Sequence, residues 1–286
     1  MAADAQHYRI RTMTRPELDT AIEWAAAEGW NPGLRDAACF HAADPDGFLA
    51  GVLDGELVAT ISVVRYGASF GFLGLYIVKP EHRGHGHGLA LWNAGIAHLA
   101  GRTIGLDGVV AQQDNYRRSG FSLAYRNVRY RGTARAQAPE DDRSIVPLSS
   151  LSFDAVSAYD ASVFAAERAR FLRRWIDQPE ATALGCVREG RLAGYGVARP
   201  ARSGAKIGPL FADDAGSAEA LLNALIARVP NGSAYYLDVP ETNPAAVELA
   251  ERQRMSVVFE TARMYAGRAP DVPVHRVYGV TTFELG

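Results

Sequence analysis

The spacing of apolar residues in the first half of the chain alternates between a helical period and a strand-like period. Thr14 and Glu17 fit a T-x-x-E capping box, and the apolar residues after them recur at helical spacing, which predicts a helix over about 14–28. Residues 48–64 alternate as two strands around an Asp-Gly turn, which predicts a hairpin. The other elements predicted here are a short helix over 36–41, a strand over 71–78, a helix after the loop 83–88 and a strand over 103–110.

The same order of patterns returns in the second half of the chain. Residues 132–142 have no periodicity and predict a linker before this repeat. The predicted elements are helices over 153–164, 168–177 and 218–228, a helix beginning at Asn243-Pro244, a hairpin over 185–199, and strands over 206–211, 234–239, 257–264 and 277–285. We therefore expect an α+β protein with two copies of one plan, each a mixed, mostly antiparallel sheet flanked by helices. The predicted boundaries are 1–133 and 144–286 for the two domains and 134–143 for the linker.

Composition narrows the classes of partner. The chain has 286 residues and a formal net charge of −2, without the basic patch that nucleic acid requires. No apolar run approaches the ~20 residues of a membrane span, and residues 1–7 lack the pattern of a cleaved signal. The two cysteines are far apart in sequence, which fits a reducing compartment. We expect a cytoplasmic monomer or homodimer whose partners include neither nucleic acid nor membrane.

A glycine-rich loop lies between a predicted strand and a predicted helix, with the sequence Arg83-Gly84-His85-Gly86-His87-Gly88. This order places free main-chain amides at a helix N-terminus, where the peptide dipoles favour an anion. The loop lacks the Lys-Ser/Thr pair of a P-loop, and its strand does not open a βαβ unit. Its histidines have no carboxylate or cysteine at ligand spacing, so we predict no metal site. The sequence predicts a cradle for phosphate groups.

Arg83, Gly86 and Gly88 match the signature Q/R-x-x-G-x-G/A, and the stretch around Tyr116 matches Y-x-x-x-G-F through Gly120-Phe121. In both motifs the chain resembles the GNAT (GCN-related N-acetyltransferase) superfamily. The resemblance implies acetyl-CoA as cofactor and a tyrosine, here Tyr116, that protonates the departing thiolate. The cofactor-binding residues that it implies are Tyr76, Ile77 and Val78 on the strand and Arg83, Gly84, His85, Gly86, His87, Gly88 and Leu89 in and after the loop.

The second half resembles a degenerate GNAT domain, as in tandem GNAT proteins. Asp213 and Asp214 stand where the phosphate cradle would be, and Ala250 stands at the place of the tyrosine. Carboxylates there would repel a pyrophosphate. The similarity to tandem GNAT proteins extends over most of the chain, including its final stretch G-V-T-T-F-E-L-G.

The acceptor side of the site is less defined by the sequence. Many GNAT enzymes carry a glutamate base where this chain has Gly74, so the base stays open between Asp107, Asp114 and a water chain. Trp30 and Asn31 follow the first helix, where acceptor clefts of the family begin, and we predict them with Asp107 as substrate contacts. A buried tryptophan, a helix-ending asparagine and a strand-end turn at Asp107 would explain the same residues without a ligand.

The resemblance implies an acetyl-CoA-dependent N-acetyltransferase that acts on a primary amine of a small molecule by direct transfer in a ternary complex. Two alternatives remain at this point. The protein could bind CoA or acyl-CoA as a non-catalytic sensor or scaffold, because the usual glutamate is missing. It could also acetylate a protein lysine or N-terminus.

Overall fold

A computed structural model describes residues 7–135 and 142–286, so most of the predicted linker lies outside the described residues. The helices are Arg15–Ala27 (α1), Asp36–Ala43 (α2), His87–His98 (α3), Gln113–Arg118 (α4), Phe153–Ala161 (α5), Ala169–Ile176 (α6), Ala215–Ile226 (α7) and Pro244–Arg252 (α8). The strands are Tyr8–Thr12 (β1), Phe48–Leu53 (β2), Glu56–Tyr66 (β3), Phe70–Val78 (β4), Thr103–Val109 (β5), Phe121–Thr133 (β6), Ile145–Pro147 (β7), Thr182–Arg188 (β8), Arg191–Pro200 (β9), Ala205–Ala212 (β10), Ala234–Pro240 (β11), Ser256–Ala266 (β12) and Val277–Gly279 (β13).

The described strands form one sheet in the order β1-β2-β3-β4-β5-β12-β6-β11-β10-β9-β8-β7, with β13 paired to β10. Only the β4–β5 and β10–β11 pairs are parallel, and the other pairs are antiparallel. The predicted class, α+β with a mixed and mostly antiparallel sheet flanked by helices, is confirmed, and the described strands of both halves join in one such sheet. No helix of the described residues is long and apolar enough to cross a membrane.

The two halves exchange a strand. β12 belongs to the second half by sequence, yet it lies between β5 and β6 of the first half. β6 in turn separates β12 from β11, with Arg129 opposite both Phe259 and Asp238. One hydrophobic core also draws on both halves, because Leu18 of α1 and Phe72 of β4 belong to the same buried cluster as Trp175 of α6. Neither half completes its sheet or its core alone.

The parallel pair β4–β5 is joined only over its first part. The register runs from Phe70 opposite Thr103 to Leu73 opposite Leu106, and beyond these residues the strands diverge. Residues 74–78 of β4 and 107–109 of β5 therefore border a gap in the sheet.

The corresponding divergence in the second half is filled by the chain itself. β10 and β11 pair from Ala205 to Ile207, and β13 then pairs with β10 at Leu210 and Phe211. The predicted strand over 277–285 is a strand only over β13, because the chain leaves β10 after Gly279 and crosses to the first half. Residues 280–286, which we call the C-terminal segment, are buried there.

Candidate active site

A cavity of about 720 Å³ opens where β4 and β5 diverge. Its walls come from both strands, from α3 and α4, and from β12 and the C-terminal segment of the second half. The residues predicted as site residues that line it are Trp30, Tyr76, Ile77, Val78, Arg83, Leu89, Asp107 and Tyr116. The five loop residues between Arg83 and Leu89 do not line the cavity itself and lie between two residues that do.

The loop before α3 has the backbone of an anion-binding helix N-terminus. Gly84 and Gly86 have φ of +80° and +84°, values that residues with a Cβ rarely adopt. No side chain caps α3. Among the described residues no hydrogen bond is recorded from the amides of residues 84–89, whereas the amide of Ala90 donates to Gly86. Six amides are therefore available to acceptors from a ligand.

Arg83 connects this loop to the edge of β4. Its Nε donates to the Val78 carbonyl at 2.9 Å, and its guanidinium forms an ion pair with Glu28 at 2.8 Å. Both side chains are partly exposed at the cavity mouth, so the pair contributes little stability. The charge of Arg83 lies beside the loop at the mouth of the cavity.

Tyr116 stands between α3 and β5. Its ring stacks on Trp92 at a centroid distance of 5.6 Å, and a Cβ added to Gly108 would lie 2.2 Å from Cε2 of the ring. Burial, with a smaller contribution from Tyr76, raises the pKa of Tyr116 to about 12. The hydroxyl is therefore protonated at neutral pH and can donate a proton.

Two predicted substrate contacts have other partners. The Asp107 side chain accepts two hydrogen bonds from Arg263, at 2.8 and 2.7 Å, and one from Asn127 at 2.8 Å. Asn31 does not line the cavity, since its amide group exchanges hydrogen bonds with the main chain of Ser203. Trp30 lines the cavity, and its carbonyl accepts from the buried Arg129 at 2.7 Å.

The matching positions of the second half are closed by protein groups. Asp214 caps α7 by accepting from the Ser217 amide at 2.9 Å, which lowers the pKa of this carboxyl. Asp213 accepts from Arg276 at 2.6 Å and from the Tyr159 hydroxyl at 2.9 Å. The helix N-terminus that could bind an anion thus holds a carboxylate of the chain, and β13 fills the strand divergence.

Four residues that line the cavity come from the second half, and sequence reasoning did not identify them: Phe259, Thr261, Phe283 and Glu284. Phe283 and Glu284 lie in the final stretch that resembles tandem GNAT proteins, but no motif assigns any of the four a place in the site, because their position depends on the exchange of β12 and on the path of the C-terminal segment. One indirect signal existed in the glycine at position 74. A Cβ on Gly74 would lie 2.2 Å from the Glu284 carbonyl oxygen, so the usual glutamate cannot be accommodated there.

Buried ion pairs hold the exchanged strands together beneath the cavity. Arg129 of β6 binds Asp238 of β11 through two hydrogen bonds of 2.6 and 2.8 Å, and the guanidinium lies 4.7 Å from the centre of the Phe283 ring. Arg263 of β12 binds Asp107 of β5 in the same bidentate way. Removal of one partner would leave a buried charge unpaired, at a cost of about 3–5 kcal/mol.

Within the described part of the chain, no three His, Cys, Asp or Glu side chains group as metal ligands.

Comparisons with known proteins agree with this architecture. The acetyltransferase (GNAT) family model matches residues 10–121, and an acetyltransferase (GNAT) domain model matches residues 156–279. A solved protein from Pyrococcus horikoshii described as a candidate acetyltransferase has a TM-score of 0.82 at 24% identity, over 100% of this chain and 99% of that one. A tandem GNAT protein from the clavulanic acid biosynthesis pathway has a TM-score of 0.63 at 14% identity, over 92% and 100%.

A curated relative extends the similarity to the sequence of the whole chain. The holothin acyltransferase of Pseudoalteromonas sp. (strain SANK 73390) is 30% identical over 281 residues, which cover 98% of this chain and 95% of the relative. Both halves thus match GNAT models, and the relative spans both. The chain belongs to the GNAT superfamily of acyltransferases and has its tandem arrangement.

Proposed function

We propose that the protein transfers an acetyl group from acetyl-CoA to a primary amine of a small molecule, directly and within a ternary complex. The observation that carries this proposal is that one cavity borders the free edge of β4, the open N-terminus of α3 and the protonated hydroxyl of Tyr116. These three features supply main-chain hydrogen bonds, an anion site and a proton donor.

The residues of the first half fit acetyl-CoA. The amides of residues 84–89 and the charge of Arg83 would hold its phosphate groups, and the edge of β4 at Ile77 and Val78, which is not paired with β5, would hold its pantetheine arm. Acetyl-CoA supplies the acetyl group as a thioester. Beside it, Tyr116 would hold a proton for the sulfur and so assist departure of the thiolate.

The acceptor end of the cavity favours a small and partly apolar amine. Trp30, Phe259 and Phe283 give it aromatic walls, and Thr261 and Glu284 give it polar atoms. Aromatic walls with a few polar groups are typical of sites for small molecules. Since the relative of similar length is a holothin acyltransferase, holothin is the first acceptor to test.

The test is release of CoA from acetyl-CoA, measured with a thiol reagent against a panel of primary amines that includes holothin. We expect release that depends on the amine, with a product heavier by one acetyl group in mass spectrometry. Gly86→Glu is the matched control, because it places a side chain and a negative charge at the loop. Tight binding of acetyl-CoA without release with any amine would contradict the proposal and favour a sensor. Release only with peptides would favour a protein acetyltransferase.

A further inference from the structure

The C-terminal segment lies against β4 at the position where many GNAT enzymes carry their base. The Glu284 carbonyl oxygen would lie 2.2 Å from a Cβ on Gly74, and it accepts a hydrogen bond from the Ser62 hydroxyl at 3.4 Å. The Tyr66 hydroxyl holds the next residue by donating to the Leu285 carbonyl at 3.0 Å. The segment therefore places Glu284 of the second half next to Gly74, the position at which many GNAT enzymes carry a glutamate.

The carboxylate of Glu284 lines the cavity with one oxygen unpaired. The residue is 2% exposed, Oε2 accepts from the Thr282 hydroxyl, and Oε1 has no hydrogen-bond partner among the described residues. A buried carboxylate oxygen without a donor destabilises the empty protein, because the oxygen has lost its hydration without gaining a hydrogen bond. Such a group in a ligand cavity indicates a partner that arrives with the ligand, and an ammonium group provides N–H donors and a positive charge.

The other acidic groups near the cavity have partners. Both oxygens of Asp107 are bound by Arg263. Asp114 is exposed, pairs with Arg117 at 2.7 Å and does not line the cavity. Glu28 lines the mouth but is paired with Arg83. Among the described residues, Glu284 is the one carboxylate of the cavity lining with a buried oxygen that no protein group binds.

The surroundings of Glu284 balance its charge. Arg129 of β6 is bound to Asp238 of β11, and the Lys206 ammonium of β10 lies 3.6 Å from the Asp238 carboxylate. Burial lowers the pKa of Lys206, Arg129 adds to that effect, and Asp238 and Glu284 offset it in part. The remaining titratable and charged groups of the cavity are Tyr76, Asp107 with Arg263, and Tyr116, together with Glu28 and Arg83 at the mouth and Arg118 of α4.

We propose that Glu284, contributed by the second half, receives the ammonium group of the acceptor and takes its proton. This inference rests on the proposed function. The N–H bond breaks as an O–H bond forms on Oε1, and the free amine forms a C–N bond to the acetyl carbon while the C–S bond breaks. Tyr116 gives its proton to the sulfur and regains one from the nitrogen, and Glu284 releases its proton to solvent. The net products are the amide, CoA thiol and one proton.

The experiment compares Glu284→Gln with the wild type and with Glu260→Gln. Glu260 is a matched control on β12, since it pairs with Arg126 at the surface and does not line the cavity. With the best amine of the panel, Glu284→Gln should lower kcat/KM at pH 7 by about 10²- to 10³-fold. The loss should shrink to below about tenfold near pH 10, where much of the amine is already unprotonated. Glu260→Gln should stay within about twofold of the wild type.

Binding gives a second measurement that needs no turnover. Calorimetry with CoA-bound protein should show that phenethylammonium binds at least about tenfold more tightly than uncharged 2-phenylethanol, and that only Glu284→Gln removes this preference. Glu284→Asp, which keeps the charge, should retain part of it. The role of Glu284 would be overturned if the wild type showed no preference for phenethylammonium, or if Glu284→Gln kept that preference. It would also be overturned if the loss of kcat/KM in Glu284→Gln were equal at pH 7 and pH 10. Wild-type protein that binds the cation but acetylates no amine would instead overturn the proposed function.

Discussion

At the scale of single residues, Tyr116 depends on a neighbour without a side chain. The ring occupies the space next to Gly108 that a Cβ would need, and it stacks on Trp92. The motif around Tyr116 could be recognised in the sequence because it is local. Its partner Gly108 could not, because the contact depends on how α4 packs on β5.

Tyr116→Phe should lower the acetyl-transfer rate by about 10²- to 10⁴-fold, because it removes the proton donor and keeps the ring. The dissociation constant of acetyl-CoA, measured by calorimetry, should change less than about threefold. Since the pKa of Tyr116 is raised to about 12, the wild-type rate should show no loss from its ionisation below about pH 10. A rate loss under threefold with chemistry rate-limiting would remove Tyr116 from the mechanism.

At the scale of elements, the sequence predicted the helices and hairpins that are stabilised by residues close to one another in the chain. The capping box at Thr14 is present, with the Glu17 amide and the Thr14 amide each bound by the other residue's side chain. The hairpins and helices predicted from apolar spacing are present with ends shifted by a few residues. α4 was missed because it is short and polar, and β1, β6 and β7 were missed because their pairing partners are distant in sequence.

Glu17 should make the start of α1 sensitive to acid. Its hydrogen bonds with Arg11 and then Thr14 lower its pKa from 4.5 to about 2, so the charged form is favoured in the folded state. This stability is present above the unfolded pKa and is lost as pH falls through about 2. Glu17→Gln should therefore lower the free energy of unfolding by about 1 kcal/mol at pH 7 and make no difference near pH 2 in urea titrations. Asp19→Asn, in an exposed pair, should change it by less than about 0.5 kcal/mol.

The two helix N-termini that follow β4 and β10 should differ in ligand binding. α3 begins with free amides, whereas α7 begins with the Asp214 cap and lies beside the gap that β13 closes. Calorimetry should give one acetyl-CoA per chain, and Gly86→Glu should abolish binding without loss of the fold by circular dichroism. A stoichiometry near two, or binding retained in Gly86→Glu, would contradict this assignment.

At the scale of the whole molecule, the exchange of β6 and β12 makes the halves interdependent. The sequence predicts two tandem domains with boundaries at 1–133 and 144–286, and the tandem arrangement is confirmed while those boundaries stay predictions. The exchange itself could not be predicted, because a swapped strand and an unswapped strand carry the same alternation of apolar residues. The position of Glu284 depends on the same long-range arrangement.

A chain cut between the halves should remain assembled. If a protease site is inserted within residues 136–141 and cleaved after folding, β6 and β12 should hold the two pieces together in size-exclusion chromatography. Residues 1–133 expressed alone should aggregate, because β5 and β6 would each present an open edge where β12 belongs. Separation of the cut pieces under native conditions, or a soluble monomeric first half, would contradict this prediction.

The strand exchange also has a consequence for the order of synthesis. When residues 1–133 leave the ribosome, the first half still lacks β12 and the C-terminal segment, both of which line its cavity. Domains generally fold as they emerge, but this cavity becomes complete only when β12 and residues 280–286 have been made. A nascent chain therefore carries the glycine loop early, and the pocket in which transfer would occur forms only after the second half has been made.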